Sequence, residues 1–361
     1  MFKTNQINSK HYATVFILFA AVLFLYHVLV YNFLSSKVIA VQEPMYVGDL
    51  VRLSYQVDSI DLKKAENTLP KQHLEGSQYN GQEIDVLTIG DSFSNGGGSG
   101  KNAFYQDYIA SINDYNVLNI RALHAAGGDV PNTLLALYNS GILDSIKPKK
   151  IILSIGSRAF IRRIGKDLDW EQNASTSKIW AEIKEMKPRD LAAHQLKDVS
   201  IVNTANFKLP FYSIGYTFVP CLKSVCKFPL KEALFSVKAD TEILIYKQTL
   251  KDLYMNTADN IAKANTNLNR IAGLLKKKGI ELYFMPAVSK YDLYYDYIEG
   301  NPYAKDALFE LYEPLDKAYQ MINTKSILLP LLQKGEKDVF YADDTHWSSK
   351  ASKEIFTHTS L

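Results

Sequence analysis

Apolar runs typical of buried strands alternate with helix-like stretches along this chain, and this alternation constrains its fold more than any other feature. Strand-like runs cover 84–89, 115–123, 150–155 and 280–285, and the apolar residues of 260–278 recur at helical spacing. Strands that alternate with helices form parallel sheets with helices on both faces. We therefore predict an α/β fold with three layers, α/β/α, built on a mostly parallel sheet.

The N-terminal part contains a segment that is long and apolar enough to cross a membrane. Residues 12–34 include no Asp, Glu, Lys or Arg, and at about 1.5 Å per residue such a helix spans a bilayer core of about 30 Å. Lys3 and Lys10 precede it, which favours a cytoplasmic tail at 1–11 and the bulk of the chain outside. We expect an uncleaved single-pass anchor, and cleavage of a signal peptide after Ala40 is the alternative.

Beyond this segment the chain divides into two predicted parts. Residues 35–80 have a mixed character and are predicted to be a juxtamembrane region, with one or two short strands between Tyr46 and Tyr55. A main domain is predicted at 81–361. Within it the alternation stops between about 157 and 240, where prolines interrupt the pattern, and we predict an insertion there.

Composition excludes some classes of protein. The 361 residues carry a formal net charge of +3 without a basic cluster, which argues against nucleic-acid binding. The only cysteines, Cys221 and Cys226, are predicted to form a disulfide if the chain is exported, and two unpaired thiols are the alternative. No histidine or second cysteine pair stands near them, so we expect no metal, and no cofactor is predicted.

Two short motifs at opposite ends of the main domain supply the parts of a Ser-His-Asp site. Ser92 lies in Gly-Asp-Ser-Phe directly after the run at 84–89, and His346 lies in Asp-Asp-Thr-His-Trp near the C-terminus. A serine hydroxyl needs a base to take its proton, and a neutral imidazole oriented by a carboxylate, here Asp344 or Asp343, is the usual base. The competing interpretation is that Ser92 lies at a helix cap and that His346 is a surface residue.

Other polar or glycine-containing segments follow predicted strands at the ends where parallel sheets bind ligands. They are Gly127–Gly128, Ser157–Arg158 and 286–291. Because the carboxyl ends of parallel strands meet at one edge, we expect these segments to lie near Ser92. His346 must reach the same edge if it is the base.

The motifs at 90–93 and 344–347, together with Met-Pro-Ala-Val-Ser-Lys-Tyr at 285–291, resemble the SGNH/GDSL hydrolase superfamily. They are more closely similar to its alginate-acetylation branch, the AlgX/AlgJ-like polysaccharide O-acetyltransferases. The resemblance implies an SGNH-like fold. It also implies that Ser92 is the nucleophile, His346 the base and Asp344 the residue that orients it, whereas the wider superfamily would use Asp343.

The superfamily's third block carries an asparagine that donates to the oxyanion, and 155–158 has none. The predicted oxyanion donors are the backbone N–H groups of Ser92 and of Gly127 or Gly128, with the Arg158 or Arg162 side chain in place of the asparagine. The predicted substrate contacts are Arg162, Lys290, Tyr291 and Trp347. For Tyr291 the alternative to stacking on a sugar ring is ordinary packing.

The resemblance further implies that the chain moves acetyl groups onto a cell-surface or secreted polysaccharide through an acyl-serine intermediate. The donor would be an integral membrane O-acyltransferase, and the site would face the periplasmic or extracellular side of a bacterial cytoplasmic membrane. A carbohydrate esterase that uses water as the second nucleophile is the alternative. A non-catalytic glycan-binding or assembly protein that keeps the fold is the third possibility.

Overall fold

The computed structural model describes residues 9–35, 47–61, 69–98, 100, 102–172, 174–188 and 200–361. Most of the predicted tail at 1–11 and the alternative cleavage site after Ala40 lie outside these residues. The strands are β1 Leu74–Glu75, β2 Val86–Gly90, β3 Val117–Arg121, β4 Lys150–Gly156, β5 Cys221–Leu222, β6 Val225–Pro229, β7 Glu242–Tyr246, β8 Glu281–Ala287 and β9 Gln320–Met321.

The helices are numbered in the same way. They are α1 Ser9–Leu29, α2 Asp49–Ser54, α3 Tyr105–Asn113, α4 Val130–Asn139, α5 Ile142–Ile146, α6 Phe160–Ile164, α7 Thr176–Glu185, α8 Thr204–Phe218, α9 Lys247–Asp252, α10 Ala258–Lys276, α11 Lys290–Tyr294, α12 Leu308–Tyr312, α13 Thr324–Gln333 and α14 Ser349–Thr357.

The central sheet has six strands in the order β1-β3-β2-β4-β8-β9, and every pair in it is parallel. All five residues of β2 are buried, as are six of the seven in β4, so both faces of the sheet are covered. The predicted α/β class with a mostly parallel sheet is confirmed. The strand-like runs predicted this sheet because a strand buried on both faces is apolar at nearly every position.

The strand order creates a crevice at one edge of this sheet. From β2 the chain passes outward to β3, and it then crosses back over β2 to reach β4 on the other side. The connections after β2 and β4 therefore leave in opposite directions, toward β3 and β8, and a gap remains outside the carboxyl ends of β2 and β4. Ser92 follows β2 and Ser157 follows β4, so the predicted site lies at this gap.

Local sequence signals explain the helices that connect these strands. Asp129 caps α4, because its side chain accepts a hydrogen bond from the Val130 N–H at 3.0 Å, and Pro131 occupies the first turn. Thr257 caps α10 in the same way by accepting from the Asn260 N–H. The apolar positions predicted for α10 are all buried: Ile261, Ala264, Leu268, Ile271 and Leu275.

The structure corrects the prediction for residues 35–80. Instead of short strands between Tyr46 and Tyr55, the described part of this stretch contains the helix α2. Leu74–Glu75 pairs with β3, so the sheet begins before residue 81. A short, mostly apolar run such as Leu50–Leu53 does not distinguish a strand from a helix, and packing against other elements decided the outcome.

The stretch predicted as an insertion, at about 157–240, contains α6, α7, α8, β5 and β6. Strands β5 and β6 form a separate antiparallel sheet with β7, which follows this stretch. Cys221 and Cys226 face each other across the β5–β6 hairpin and are joined by a disulfide with a Cα–Cα distance of 3.9 Å. Helices α2 and α8 and this small sheet share a second apolar cluster, apart from the main core.

At the N-terminus, α1 continues into a turn of π-helix at Val30–Leu34. The whole segment Ser9–Leu34 is long and apolar enough to cross a membrane, by length and composition. Only a small share of it is buried against the rest of the chain.

Candidate active site

Ser92 lies in a tight turn directly after β2. The turn is fixed by Asp91, whose carboxylate accepts from the Phe93 N–H at 3.2 Å and from the Gly156 N–H at 2.7 Å. The Ser92 carbonyl in turn accepts from the N–H groups of Asn95 and Gly97 at 3.2 and 2.8 Å. We call 91–97 the serine loop. Its further anchors lie in α3 and β3, where the side chains of Gln106 and Asn119 donate to the Ser94 carbonyl at 2.8 and 3.3 Å.

The structure brings Ser92, His346 and Asp344 into one chain of hydrogen bonds. The Ser92 Oγ lies 2.7 Å from the His346 Nε2, and the His346 Nδ1 lies 2.6 Å from the Asp344 Oδ1. The His346 backbone N–H also donates to that same carboxylate oxygen at 3.0 Å. This geometry permits proton transfer from the serine hydroxyl to the imidazole.

The neighbours of the imidazole define its protonation. Since a carboxylate only accepts, the Nδ1 carries a proton and the Nε2 is left to accept from Ser92. Burial lowers the pKa of His346, but the negative charges of Asp344 and Asp49 and the hydrogen bond to Asp344 outweigh it, and the net shift is upward. Arg158 acts in the opposite direction on this pKa. The imidazole is thus a stronger base than an isolated histidine.

The two adjacent carboxylates of the histidine motif have different partners. Asp344 bonds the imidazole, whereas the Asp343 carboxylate accepts from the Gly48 N–H at 2.7 Å. The Asp343 carbonyl also accepts from the N–H groups of Leu50 and Val51 at the start of α2. The geometry therefore favours Asp344 over the alternate Asp343 as the orienting carboxylate.

Asp49 is a site residue that the sequence analysis did not identify. Its carboxylate accepts from the Thr345 N–H at 2.8 Å and from the Thr345 hydroxyl at 2.5 Å. Its own N–H donates to the second oxygen of Asp344 at 3.1 Å. We call 343–346 the histidine loop, and Gly48–Val51 clamps it from a position 295 residues away in the sequence. No motif marked Asp49, because its role arises only from this long-range contact.

Lys290 also holds the histidine loop. Its side chain is buried, and its ammonium donates to the carbonyls of Tyr341, Ala342 and Asp344 at 2.8, 2.9 and 3.3 Å. This corrects the prediction that Lys290 contacts substrate. A buried ammonium with three carbonyl partners orders the backbone around it.

Two further predicted substrate contacts are buried as well. Tyr291 is fully buried, and its hydroxyl donates to the Ala304 carbonyl at 2.9 Å. Trp347 is buried against Phe93, with ring centroids 4.6 Å apart, and Phe93 also contacts the His346 ring. Both predictions of substrate contact are therefore corrected, and packing, the alternative named for Tyr291, describes both residues.

Ser92 lies where two clefts meet. One cleft, of about 470 Å³, has His346, Asn95 and the charged side chains of Arg52, Glu75 and Arg121 in its wall. The second cleft, of about 310 Å³, is lined by three arginines, Arg158, Arg162 and Arg163. Of the predicted substrate contacts, Arg162 alone lines a cleft with Ser92, and it is ion-paired with Asp252 at 2.9 Å.

The His73 side chain, which is largely shielded from solvent, contacts the wall of the larger cleft. The His73 Nδ1 lies 2.6 Å from Asp107, and its Nε2 lies 3.4 Å from Glu75, which lines the cleft. Burial lowers the pKa of His73, but the two carboxylates raise it to about 9, so the ring is charged near pH 7. This charge offsets one of the two carboxylates and fixes Glu75 in the wall.

Of the predicted oxyanion donors, the two glycine N–H groups already have other acceptors, whereas Arg158 lies at the cleft. The N–H groups of Gly127 and Gly128 already donate within a turn, to the carbonyls of His124 and Leu123 at 2.9 and 2.8 Å. The prediction that one of them donates to an oxyanion is therefore corrected. Arg158 lines the cleft beside Ser92, and its guanidinium stands 5.2 Å from the centre of the Tyr246 ring.

Among the described residues, one group has ligand atoms close enough to hold a metal ion. It comprises Asp49, Asp344 and His346, whose atoms lie within 4.8 Å of one another. Their oxygen and nitrogen atoms already take part in the hydrogen bonds given above. A cation would have to displace the proton shared by His346 and Asp344, so the arrangement fits acid–base chemistry better than metal binding.

The fold and site together are those of an α/β domain that carries a serine, a histidine and an aspartate in one hydrogen-bonded chain. Residues 246–355 match the family model described as the SGNH hydrolase-like domain of the acetyltransferase AlgX. The match includes the histidine loop and Lys290, and Ser92 lies outside it. The predicted resemblance to the SGNH superfamily and to its AlgX-like branch is confirmed, and it points to an acetyltransferase or an esterase. No curated protein matches the chain.

Proposed function

We propose that this protein is a membrane-anchored O-acetyltransferase that modifies a cell-surface or secreted polysaccharide through an acetyl-serine intermediate. The observation that carries the proposal is the hydrogen-bonded chain from Ser92 through His346 to Asp344, which opens onto two clefts. The AlgX-type match supports acetyl transfer as the reaction. The polysaccharide acceptor is inferred from that resemblance.

In the first half-reaction, the Ser92 Oγ attacks the acetyl carbonyl carbon of the donor while its proton moves to the His346 Nε2. Collapse of the tetrahedral intermediate breaks the bond to the donor oxygen, which leaves with the proton from the Nε2. Ser92 then carries the acetyl group as an ester. Asp344 keeps the imidazole in one tautomer and stabilises its positive charge.

In the second half-reaction, a sugar hydroxyl takes the place of the donor. Its proton moves to the His346 Nε2 as its oxygen attacks the acetyl carbon. The intermediate collapses to the acetylated sugar, and Ser92 leaves and recovers the proton. The same base therefore serves both halves, as a single histidine does in other serine acyltransfer sites.

Negative charge develops on the acetyl oxygen in both halves. The Ser92 N–H and the Arg158 guanidinium are the groups we assign to it, since both lie at the cleft beside the nucleophile. Arg162 and Arg163 would extend the same positive side toward a polar or anionic substrate. Preorganised donors of this kind account for a large part of catalysis in acyl transfer.

The apolar helix at the N-terminus supports an anchor in a bacterial cytoplasmic membrane. The disulfide Cys221–Cys226 supports an oxidising compartment for the domain, as on the periplasmic or extracellular side. An anchored enzyme would lie close to an integral membrane O-acyltransferase that delivers acetyl groups. That partner follows from the resemblance alone.

Incubation of the full-length protein with a small activated acetyl ester tests the intermediate. We expect release of the leaving group and an acetyl mass on the peptide that contains Ser92. The Ser92→Ala variant should show neither, and Lys238→Ala, which removes an exposed lysine on Asp58, is a matched surface control. A wild-type protein without turnover or acetylation would support the non-catalytic interpretation instead.

A carbohydrate esterase would share the first half-reaction, and the open clefts admit water as well as a sugar. Addition of an acceptor glycan separates the two reactions. A transferase should acetylate the glycan faster than it releases acetate. An esterase should release acetate at an unchanged rate and leave the glycan unmodified.

A further inference from the structure

Helix α8 carries an apolar stripe that faces away from the protein. Its outward side chains recur every three or four residues and are large: Phe207, Phe211, Ile214 and Phe218, which are 46%, 59%, 59% and 81% exposed. Ile201, Val202 and Val219 extend the stripe at both ends. Apart from those of α1, most of the exposed large apolar side chains in the described residues belong to this stretch.

The opposite side of α8 already has a partner. Leu209, Tyr212 and Tyr216 pack into the second apolar cluster, where the rings of Tyr212 and Tyr55 lie 4.8 Å apart. The helix is therefore apolar on both sides, but the described part of the chain covers only one of them. Lys208 is the only charged side chain in the helix, and no acidic residue occurs in it. An apolar face of this size needs a cover.

The contacts between α8 and the N-terminal helix indicate what covers this face. The Tyr26 hydroxyl donates to the Phe207 carbonyl at 2.8 Å. The rings of Tyr26 and His27 lie 6.1 and 6.3 Å from that of Phe207. Both helices thus meet near the C-terminal end of the candidate membrane span.

This meeting point lies in the last third of the candidate span. From Lys10 to Tyr26 a helix rises about 24 Å, so Tyr26 would lie within about 6 Å of the far boundary of a hydrocarbon core of about 30 Å. Tyrosines and other polar aromatic residues collect where the core gives way to the headgroups, and Tyr26, His27 and Tyr31 follow the most apolar part of α1 in this way. A helix that touches Tyr26 from the side would therefore lie near that boundary.

We propose that α8 lies in the membrane interface, roughly parallel to the bilayer, with the stripe Phe207, Phe211, Ile214 and Phe218 inserted among the lipids. This inference rests on the proposed membrane anchor. Interfacial helices bind by burying such a face at the boundary of headgroups and acyl chains. The protein would then contact the bilayer in two places, and the catalytic domain would be held at a fixed height and tilt.

The contact also reaches toward the active site. Helix α8 packs on α2 through the second apolar cluster, and Gly48–Val51 at the start of α2 clamps the histidine loop. The second apolar cluster thus links the inner side of α8, opposite the proposed lipid face, to the helix that begins with the clamp. Insertion of α8 into the lipids would therefore also help to hold Gly48–Val51 in contact with the histidine loop.

Quenching of a fluorescent label by spin-labelled lipids tests the proposal on the full-length protein. Both native cysteines are in a disulfide, so one added cysteine provides a unique thiol. The variants are Phe211→Cys on the stripe, Phe19→Cys in the candidate span and Tyr254→Cys on the exposed surface of the domain. The vesicles contain phosphatidylcholine and phosphatidylglycerol, with spin labels either near the glycerol or near the chain ends.

We expect the label at 211 to lose most of its emission to the shallow spin label and little to the deep one. The label at 19 should show the reverse order, and the label at 254 should respond to neither. Quenching at 19 without quenching at 211 would overturn the proposal and leave the anchor intact. Protection of position 211 from both lipid and aqueous quenchers would assign the stripe to a protein partner and would also overturn it.

The same experiment separates failure of the anchor from failure of the helix. If neither 19 nor 211 is quenched, the anchor and the interfacial helix are both wrong. If 211 alone is quenched, α8 binds lipid without a spanning anchor, and the placement of the stripe stands. Activity on a soluble acetyl ester should be equal in the three variants, since none of them alters a cleft residue.

Discussion

The serine loop and the histidine loop meet at one hydrogen bond, yet they are held in place by different kinds of contact. The serine loop is fixed by its own Asp91 and by Gly156 at the end of the adjacent strand. The histidine loop is fixed by Gly48–Val51 and Lys290, from parts of the chain far from it in sequence. The serine loop is thus held against the central sheet and the chain that follows it, whereas the histidine loop is held by the start of α2 and by the Lys290 side chain.

This difference has a consequence for stability and for activity. A loop held by its own turn and by a buried strand opens only when the sheet opens. A loop held by a helix at the edge of the domain can loosen when that helix moves, without unfolding of the core. Contacts to the histidine loop should therefore tune activity, whereas loss of the serine removes it.

The largest effect is expected from loss of the nucleophile. Ser92→Ala should lower kcat on an acetyl ester by about 10⁴-fold or more, because no other group in the site can form the ester. The thermal midpoint should change little, since the hydroxyl is at the cleft surface. Full activity in a folded Ser92→Ala protein would contradict the acyl-serine mechanism.

Next in size is the contrast between the two neighbouring carboxylates. Asp344→Asn should lower kcat by about 10³- to 10⁴-fold, because the imidazole loses the acceptor that fixes its tautomer. Asp343→Asn should act chiefly on stability, by about 1–3 kcal/mol, because it weakens the hydrogen bond to the Gly48 N–H. Steady-state kinetics and thermal denaturation of both variants check this ranking. The reverse ranking would make Asp343 the orienting residue.

Loss of Lys290 should have an intermediate effect on both properties. Lys290→Met leaves three buried carbonyls of the histidine loop without their ammonium donor, which should destabilise the fold by about 2–5 kcal/mol. We also expect a 10- to 100-fold fall in kcat, as an order of magnitude, because the loop loses its position.

Lys325→Met is the matched control for Lys290. The Lys325 ammonium is also buried, but it pairs with Asp292 and Glu310 at 2.7 and 2.8 Å and makes no described contact with the histidine loop. The Lys325→Met variant should be less stable than the wild type, while its kcat at a permissive temperature stays near the wild-type value. Equal losses of kcat in both variants would show that Lys290 acts through general stability alone.

The smallest effect on rate, and the most specific one, is expected at Asp49. Its negative charge raises the pKa of His346, so Asp49→Asn should lower that pKa. The base must be unprotonated to act, and a lower pKa keeps it unprotonated to a lower pH. The acidic limb of the kcat/KM profile should therefore move to lower pH, with about a tenfold or smaller fall in the plateau.

A pH profile of the Asp49→Asn variant distinguishes positioning from mere packing. Asp58→Asn, in the same segment but exposed and paired with Lys238, is the control and should leave the limb unchanged. If the acidic limb of the kcat/KM profile stays unchanged in Asp49→Asn while the variant is less stable, Asp49 has only a structural role.

Much of the fold could be predicted from the sequence. The contacts that hold the serine loop and the histidine loop could not be predicted equally well. Strands β2, β3, β4 and β8 each overlap a predicted run, because strands buried on both faces leave a continuous apolar signature. The short strand β1 and the helix α2 escaped prediction, since each is too short for a period to emerge. The predicted substrate contacts Lys290, Tyr291 and Trp347 failed because polarity or aromaticity in a sequence does not reveal burial.

The sequence by itself determined the parallel sheet, the turn that presents Ser92 and the presence of a histidine with a carboxylate two residues before it. These features are visible in patterns of a few residues, although the turn at Ser92 is completed by a hydrogen bond to Asp91 from Gly156, 65 residues away. Tertiary structure alone decided that Asp344 and not Asp343 bonds the imidazole, that Gly48 and Asp49 hold the histidine loop, and that Lys290 is buried beneath it. The physical reason is distance along the chain: a hydrogen bond between residues 295 positions apart leaves no pattern in either segment.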